Sequence, residues 1–205
     1  MATETELKLS IDPESVAALL HHPLLQAEPK HQHLYNTYFD TDDLALTRQK
    51  VAVRERRIGK QTLLTVKTAG QSHGGLSHRL EWEGPTTPGA FDFRALVDDA
   101  ALAQSLSRNA DQLVPVFTTD FERLTWRVAV EDSLVEVALD RGAITVNRHG
   151  RQEQMPLCEV ELELKSGEAS ALSALAAQLQ TQVALTPTDE SKATRGYALF
   201  HRLAA

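Results

Sequence analysis

Charged and apolar residues alternate with a period of two along most of this chain. In the opening segment, Glu4, Glu6 and Lys8 alternate with other residues that include Leu7 and Leu9. Residues i and i+2 of a β-strand project from the same face of a sheet. Similar alternation occurs in segments 51–57, 62–67, 77–83, 117–130, 134–139 and 156–165. The pattern therefore predicts many strands, nearly all with one charged and one apolar face.

The charged faces are also sorted by sign. Glu-x-Glu occurs in segments 4–6, 81–83 and 159–163, whereas arginines dominate segments 54–56 and 123–127. A half-exposed sheet explains alternation alone, but a face in water needs no such sorting. A closed barrel with a hydrophilic interior, and an apolar exterior partly covered by helices, explains both features. Guanidinium groups also match phosphate oxygens better than ammonium groups do.

Helical patterns flank the strands. Segments 13–20, 91–109, 168–180 and 190–203 are predicted to be helical, with Asp12 as the N-cap of the first. A tight turn at Gly59-Lys60 predicts a hairpin, and segments 134–139 and 144–147 are predicted to be separate strands. About eight short strands with helices at the edges predict an α+β fold, an antiparallel barrel or strongly curved sheet. We expect one domain spanning residues 1–205.

Composition and charge limit the partners of the protein. The formal net charge of −7 argues against a nucleic-acid partner. No apolar run approaches the roughly 20 residues needed to cross a bilayer, and no signal peptide is visible, so we expect a cytoplasmic protein with no membrane partner. The only cysteine, Cys158, excludes an intramolecular disulfide. A homodimer is one way to cover an apolar barrel exterior.

The mixture of carboxylates and guanidiniums is typical of phosphate chemistry. Carboxylate pairs on neighbouring strands would supply the hard oxygen ligands that Mg²⁺ or Mn²⁺ prefers. Basic side chains on other strands would hold an extended polyanion such as a small polyphosphate. Phosphoryl transfer requires both components. No histidine spacing indicates zinc, and Cys158 faces away from Glu159, so water is the predicted nucleophile.

Several ordered motifs resemble one known family. They are Glu4-Thr5-Glu6-Leu7-Lys8, Tyr38-Phe39-Asp40-Thr41, Val53-Arg54-Glu55-Arg56, Thr65-Val66-Lys67, Arg79-Leu80-Glu81-Trp82-Glu83, Glu159-Val160-Glu161-Leu162-Glu163 and Ser191-Lys192-Ala193-Thr194-Arg195-Gly196-Tyr197. Together they resemble the CYTH superfamily, or triphosphate tunnel metalloenzymes, across essentially the whole chain. Segments 74–76, 117–123 and 136–140 resemble bacterial inorganic triphosphatases. Many of those enzymes also carry a helical CHAD domain, which we do not find in this sequence.

The resemblance implies an eight-stranded antiparallel tunnel that hydrolyses tripolyphosphate to diphosphate and phosphate with Mg²⁺ or Mn²⁺. By motif, the metal ligands would be Glu4, Glu6, Glu159 and Glu161. Substrate phosphates would be bound by Lys8, Arg54, Arg56, Lys67, Arg79, Arg123 and Lys192. The candidate catalytic residues are Lys8, Lys192 and Glu81. Further residues expected to line the tunnel are Glu83, Arg127, Glu136, Asp140 and Glu163.

Other functions remain open at the level of sequence. The same fold could serve a thiamine triphosphatase or a nucleoside triphosphatase. A non-catalytic polyphosphate binder is a further alternative, although a polyanion would be bound better by a site with fewer carboxylates. The charged residues could also be structural, forming cross-strand ion pairs or a solvated face.

Overall fold

The computed structural model describes residues 2–204. Within this range the strands are β1 (Ala2–Ile11), β2 (Lys30–Asp40), β3 (Val51–Ile58), β4 (Gln61–Thr68), β5 (Gln71–His73), β6 (Leu76–Pro85), β7 (Val114–Val130), β8 (Ser133–Arg148), β9 (Arg151–Ser166) and β10 (Leu185–Pro187). The α-helices are α1 (Val16–Leu20), α2 (Ala45–Arg48), α3 (Phe93–Leu96), α4 (Ala100–Asn109), α5 (Ser170–Gln180) and α6 (Lys192–Ala204).

Eight of these strands close into an antiparallel barrel. Their order is β1-β9-β8-β7-β2-β3-β4-β6, and pairing of β6 with β1 completes the ring. The short strands β5 and β10 pair with β6 and β1 respectively. Closure confirms the predicted α+β fold and gives the barrel strands partners on both sides, which protects their backbone groups.

The apolar faces of the strands point outwards and are covered by helices. One cluster packs α1 and α5 against β1, β7, β8 and β9, with Leu172, Leu175 and Leu179 of α5 fully buried. A second cluster packs α3 and α4 against β3, β4 and β6. Burial of these apolar surfaces stabilises the barrel from outside and leaves the alternating charged faces for the interior. The predicted hydrophilic interior is therefore confirmed.

Helix α6 packs differently from the other helices. Its apolar side chains, including Tyr197, Leu199 and Phe200, form a cluster with Tyr38 of β2 and Phe117 of β7. Tyr38 lines the cavity inside the barrel, as do Lys192 and Tyr197 of α6. The helix thus forms part of the cavity wall, and it brings Lys192 of its first turn to the lumen.

Two local predictions are corrected by the structure. Segments 134–139 and 144–147 belong to one continuous strand, β8, because Gly142 allows close approach to β7: a Cβ atom there would lie 2.1 Å from the carbonyl oxygen of Asp120. The first helical segment begins as a 3-10 turn at Pro13–Ser15, and the Asp12 side chain makes no capping hydrogen bond. The predicted hairpin is confirmed, with Gly59 in the left-handed region at φ 58°.

Candidate active site

A cavity of about 950 Å³ runs inside the barrel. Most of the residues predicted for the site line it, because strand alternation turns one face of every barrel strand inwards. They are Glu4, Glu6, Lys8, Arg54, Arg56, Lys67, Arg79, Glu81, Glu83, Arg123, Glu136, Glu161, Glu163 and Lys192.

Three predicted residues lie elsewhere. Asp140 and Glu159 are almost completely buried, 0% and 2% exposed, and lie behind the side chain of Lys192 rather than on the cavity surface. The expectation that Arg127 lines the tunnel is corrected: its side chain is exposed, near the end of the 17-residue strand β7. Arg123, four residues earlier on the same strand, does reach the cavity.

A buried group of three carboxylates lies beside the first turn of α6. Oxygens of Asp140, Glu159 and Glu161 all lie within 4.8 Å of one another. The ammonium of Lys192 contacts all three, at 2.6 Å from Asp140 Oδ2 and 2.9 Å from Glu161 Oε1, with a short contact to Glu159. Arg195 pairs with the remaining oxygen of Glu159. This group brings together two predicted metal ligands and adds Asp140.

Arg123 completes the neutralisation of these carboxylates. Its Nε and Nη2 atoms donate to both oxygens of Asp140 at 2.6 Å, and Nη2 also donates to Glu161 Oε2 at 2.6 Å. Although burial opposes ionisation, Lys192 and Arg123 hold the pKa of Glu161 well below its usual range. At Glu159 the net shift is opposite, because burial and the charge of the neighbouring Glu161 carboxylate raise the pKa more than the adjacent cations lower it.

The other predicted metal ligands, Glu4 and Glu6, form a separate ion-pair network. Arg79 bridges them, with Nε at 2.6 Å from Glu4 and Nη2 at 2.7 Å from Glu6. Lys67 pairs with Glu4 at 3.0 Å, and Lys8 pairs with Glu6 at 3.0 Å. The register explains the separation, since the β9 residue opposite Glu6 is Glu163 and not one of the buried three.

Two arginines on β3 are much less completely neutralised. Arg54 is 6% exposed and donates to Glu83 at 3.3 Å, but its buried Nε atom has no hydrogen-bond partner among residues 2–204. Arg56 donates from Nε to Asn36 Oδ1 at 2.8 Å and has no carboxylate within 4.0 Å in the described part of the chain. Burial and the like charge of Arg54 lower the pKa of Arg56. Arg56 therefore keeps a positive charge that no neighbouring carboxylate of the described chain neutralises, and Arg54 keeps one unsatisfied donor.

The remaining predicted carboxylates of the lumen are paired with cations, whereas Lys30 and Lys50, which also line the cavity, are exposed. Glu81 lies 2.8 Å from Lys67, and Lys165 bridges Glu136 and Glu163 at 3.4 Å and 2.8 Å. Glu83 also accepts a hydrogen bond of 2.7 Å from Thr65. Neutralising these carboxylates in pairs limits the cost of placing so many charges in one cavity.

Sequence reasoning assigned no site role to several residues that contribute. Lys165 shares the inward face of β9 with Glu163, so alternation alone could have identified it. Arg195 follows Lys192 by three residues, one helical turn, and reaches Glu159, one of the three carboxylates that Lys192 contacts. Tyr38, beside Arg54 in the register of β2 and β3, also lines the cavity, but its aromatic character indicated only packing.

The closed barrel, its charged lumen and helix α6 in the cavity wall define a tunnel-type fold. Comparison with known families agrees. The model of the CYTH domain matches residues 2–197, and the chain belongs to this family. An inorganic triphosphatase of Haemophilus influenzae is 36% identical over 205 residues, which cover 97% of this chain and 55% of that protein. The chain thus spans about half the length of this curated relative.

Solved structures support the same fold. A putative adenylyl cyclase of Hippeastrum, described as having a dominant triphosphatase activity, superposes with a TM-score of 0.63 and 18% identity, covering 97% of this chain and 95% of the other. A Pyrococcus horikoshii protein gives a TM-score of 0.58 and 19% identity, covering 98% of both chains. At these identities the likeness concerns the fold alone.

Proposed function

We propose that this chain hydrolyses inorganic triphosphate to diphosphate and phosphate inside the barrel, in a reaction that depends on Mg²⁺ or Mn²⁺. The observation that carries the proposal is that Arg56, inside the lumen, has no carboxylate within 4.0 Å among residues 2–204, and that the buried Nε of Arg54 has no hydrogen-bond partner in that range. A buried guanidinium without a carboxylate partner, as at Arg56, is costly unless an anion binds it. The similarity to an inorganic triphosphatase supports the same substrate.

The three carboxylates beside Lys192 fit a divalent cation. Asp140, Glu159 and Glu161 offer hard oxygen atoms within 4.8 Å of one another, a spacing compatible with the roughly 4.2 Å across a Mg²⁺ octahedron with bonds of about 2.1 Å. We propose that Glu159 and Glu161 hold the metal with help from Asp140, while the predicted contribution of Glu4 and Glu6 remains a proposal from motif. A bound cation would supply Lewis-acid chemistry, neutralising the charge that develops on the phosphoryl group.

The basic residues would bind and orient the substrate. Arg54 and Arg56, with Arg123 on the neighbouring wall, would donate charge-assisted hydrogen bonds to phosphate oxygens. Lys8, Lys67 and Arg79 would extend this contact along the lumen, at the expense of their present carboxylate partners. The attacking group would be water, positioned by Lys192, Lys8 or Glu81, and no covalent intermediate is required.

The same proposal covers the setting in which the domain works. We propose a single CYTH domain over residues 1–205, located in the cytoplasm and without a nucleic-acid or membrane partner. No helix within residues 2–204 is long and apolar enough to cross a membrane. A homodimer stays a prediction. Helices already cover the barrel exterior. Among the described residues, the large apolar side chains that are exposed are Leu20 and Leu24, each 37% exposed.

A substrate panel tests the proposal directly. Initial rates would be measured with tripolyphosphate, thiamine triphosphate and ATP, each with Mg²⁺, with Mn²⁺ and with EDTA. We expect tripolyphosphate to be turned over fastest, and only with metal. A preference for thiamine triphosphate or ATP would support one of the related enzymes instead. Binding of tripolyphosphate by calorimetry, without turnover under any condition, would identify a polyphosphate binder and contradict hydrolysis.

A further inference from the structure

Asp40 is a fully buried carboxylate that lies outside the charged lumen. It is 0% exposed, and it forms no ion pair within residues 2–204. Instead, Oδ1 accepts from the backbone N–H groups of Thr41 and Leu46 at 2.8 Å, and Oδ2 accepts from the N–H of Thr47 at 3.0 Å. Three backbone donors, one from the residue after β2 and two from α2, thus hold the carboxylate in place.

The fourth donor to Asp40 comes from helix α6. The hydroxyl of Tyr197 donates to Asp40 Oδ2 at 3.0 Å, and Tyr197 itself is 8% exposed. A buried hydrogen bond to a charged acceptor is among the stronger ones, and loss of its donor leaves the acceptor less satisfied. This contact therefore ties the helix to a fixed point on the barrel.

A second contact sets the distance between α6 and the barrel. A Cβ atom at Gly196 would lie 2.3 Å from the ring of Phe117, so the helix backbone rests directly on that ring. Phe117 also meets the edge of Tyr197, with centroids 5.2 Å apart, and stacks on Tyr38 at 4.4 Å. Because a ring face permits sliding and rotation, directional bonds must fix the register of the helix. Arg195 pairs with Glu159 and the exposed Arg202 pairs with Glu153, and the buried contact of Tyr197 is the one that lies between them on the helix.

We propose that the Tyr197–Asp40 hydrogen bond is that positioning contact: it fixes α6 so that Lys192 meets its three carboxylates. Lys192 opens the helix, five residues before Tyr197, and its ammonium lies within 3 Å of Asp140 and Glu161 oxygens. A shift of about 1 Å at such a site is sufficient to lower catalysis. Tyr197 is thus a positioning residue that acts through Lys192, and its effect on turnover rests on the proposed function.

The test is a double-mutant cycle with Tyr197→Phe and Lys192→Met. Tyr197→Phe keeps the ring that packs on Phe117 and removes only the hydroxyl. We expect kcat for tripolyphosphate to fall about tenfold, the equivalent of one lost hydrogen bond, while KM changes little. In the Lys192→Met background, the same substitution should cause no further loss. Tyr35→Phe, which removes a hydroxyl on the outer face of β2, is the matched control and should keep wild-type kinetics.

Hydrogen exchange gives a second readout that does not depend on turnover. Amides of α6 should exchange faster in Tyr197→Phe than in Tyr35→Phe, while those of β7 and β8 stay unchanged. If Tyr197→Phe fails to fold, Asp40→Asn is used in its place, because it weakens the same hydrogen bond at the acceptor. The proposal would be overturned if Tyr197→Phe lowered kcat by the same factor in wild type and in Lys192→Met, or if hydrogen exchange in α6 were unchanged. If wild type shows no turnover, the proposed hydrolysis fails, and exchange alone decides the positioning role.

Discussion

The wall formed by β8, β9 and α6 differs from the wall formed by β2 and β3 in how its charges are neutralised. On the first wall, Asp140, Glu159 and Glu161 each contact at least two cationic groups of the chain. On the second, Arg56 has one neutral hydrogen-bond partner and no carboxylate within 4.0 Å among the described residues. The first wall satisfies its charges within the chain, whereas the second leaves positive charge for a ligand.

This difference separates structural roles from binding roles. Removing one member of a buried ion pair leaves its partner charged in a poorly solvated place, so substitutions on the first wall should cost stability as well as activity. Removing a positive charge that is repelled by its neighbours on the second wall should weaken substrate binding without lowering stability. Proteins commonly accept such unfavourable charges at functional sites, which is why they help to locate those sites.

The largest expected effect follows from Glu161→Gln. The substitution keeps the shape of the side chain but removes a carboxylate that contacts Lys192 and Arg123. We expect kcat for tripolyphosphate to fall about 100-fold or more, as when a group aimed at the transition state is removed. Affinity for Mn²⁺, measured by calorimetry, should fall as well.

Glu122→Gln provides the control for that experiment. Glu122 lies on the outer face of β7, half exposed and paired with His31. Its substitution should leave both turnover and Mn²⁺ binding near the wild-type values. An unchanged Mn²⁺ affinity in Glu161→Gln would show that the buried carboxylates do not hold the metal.

Arg123→Gln tests the stability of the paired wall. The guanidinium makes a two-pronged contact with Asp140 and also reaches Glu161, and both carboxylates would be left short of a partner. We expect the free energy of unfolding to fall by about 3–5 kcal/mol, measured by urea denaturation. Arg127→Gln, an exposed change on the same strand, should lie within about 0.5 kcal/mol of wild type. Equal stabilities of the two variants would contradict the structural role of the paired wall.

Features of the site that follow from local strand geometry can be predicted from the sequence, whereas features that depend on tertiary geometry cannot. The inward direction of Glu4, Glu6 and Lys8 follows from the period of a strand, which is local and fixed, and the structure confirms it. Which carboxylates meet depends on strand register and on the tilt of the barrel. Asp140 is placed opposite Glu159 by the pairing of β8 with β9, and no local pattern shows that.

The position of Lys192 was beyond sequence reasoning for a related reason. The sequence predicts a helix over residues 190–203, and α6 confirms it. Insertion of the ammonium among three carboxylates depends on the close contact of Gly196 with Phe117 and on the bond from Tyr197 to Asp40. These are contacts between segments about 80 and 160 residues apart in the chain, as the residue numbers show.

Arg56→Gln tests the unpaired wall and should affect binding without weakening the fold. Loss of one charge-assisted contact should weaken tripolyphosphate binding roughly 10- to 100-fold in calorimetry. The pKa of Arg56 is lowered in the folded protein, so its charged form is disfavoured there, and removing the charge should leave the melting temperature unchanged or higher. Arg57→Gln, an exposed neighbour whose guanidinium lies over Tyr35, is the control and should bind normally. A clear loss of melting temperature in Arg56→Gln would remove the distinction between the two walls.

The smallest expected effect concerns pH and the ion pairs beside Arg54. Burial opposes ionisation of Glu81, but the cations of Lys67 and Arg54 hold its pKa below the usual value, and the pKa of Glu83 is lowered similarly. A carboxylate with a lowered folded-state pKa stabilises the protein above its unfolded pKa of about 4.3, and this stabilisation disappears as the pH falls through the folded value. Melting temperatures between pH 7 and pH 3 should therefore decline below about pH 4.3. The decline in melting temperature should be shallower in Glu81→Gln, because the glutamine side chain does not titrate. An identical pH profile in the two proteins would show that the ion pair of Glu81 with Lys67 does not stabilise the fold. Since the pair is partly accessible, at 18% and 17% exposure, solvent screening keeps this difference small compared with the effect of Arg123→Gln.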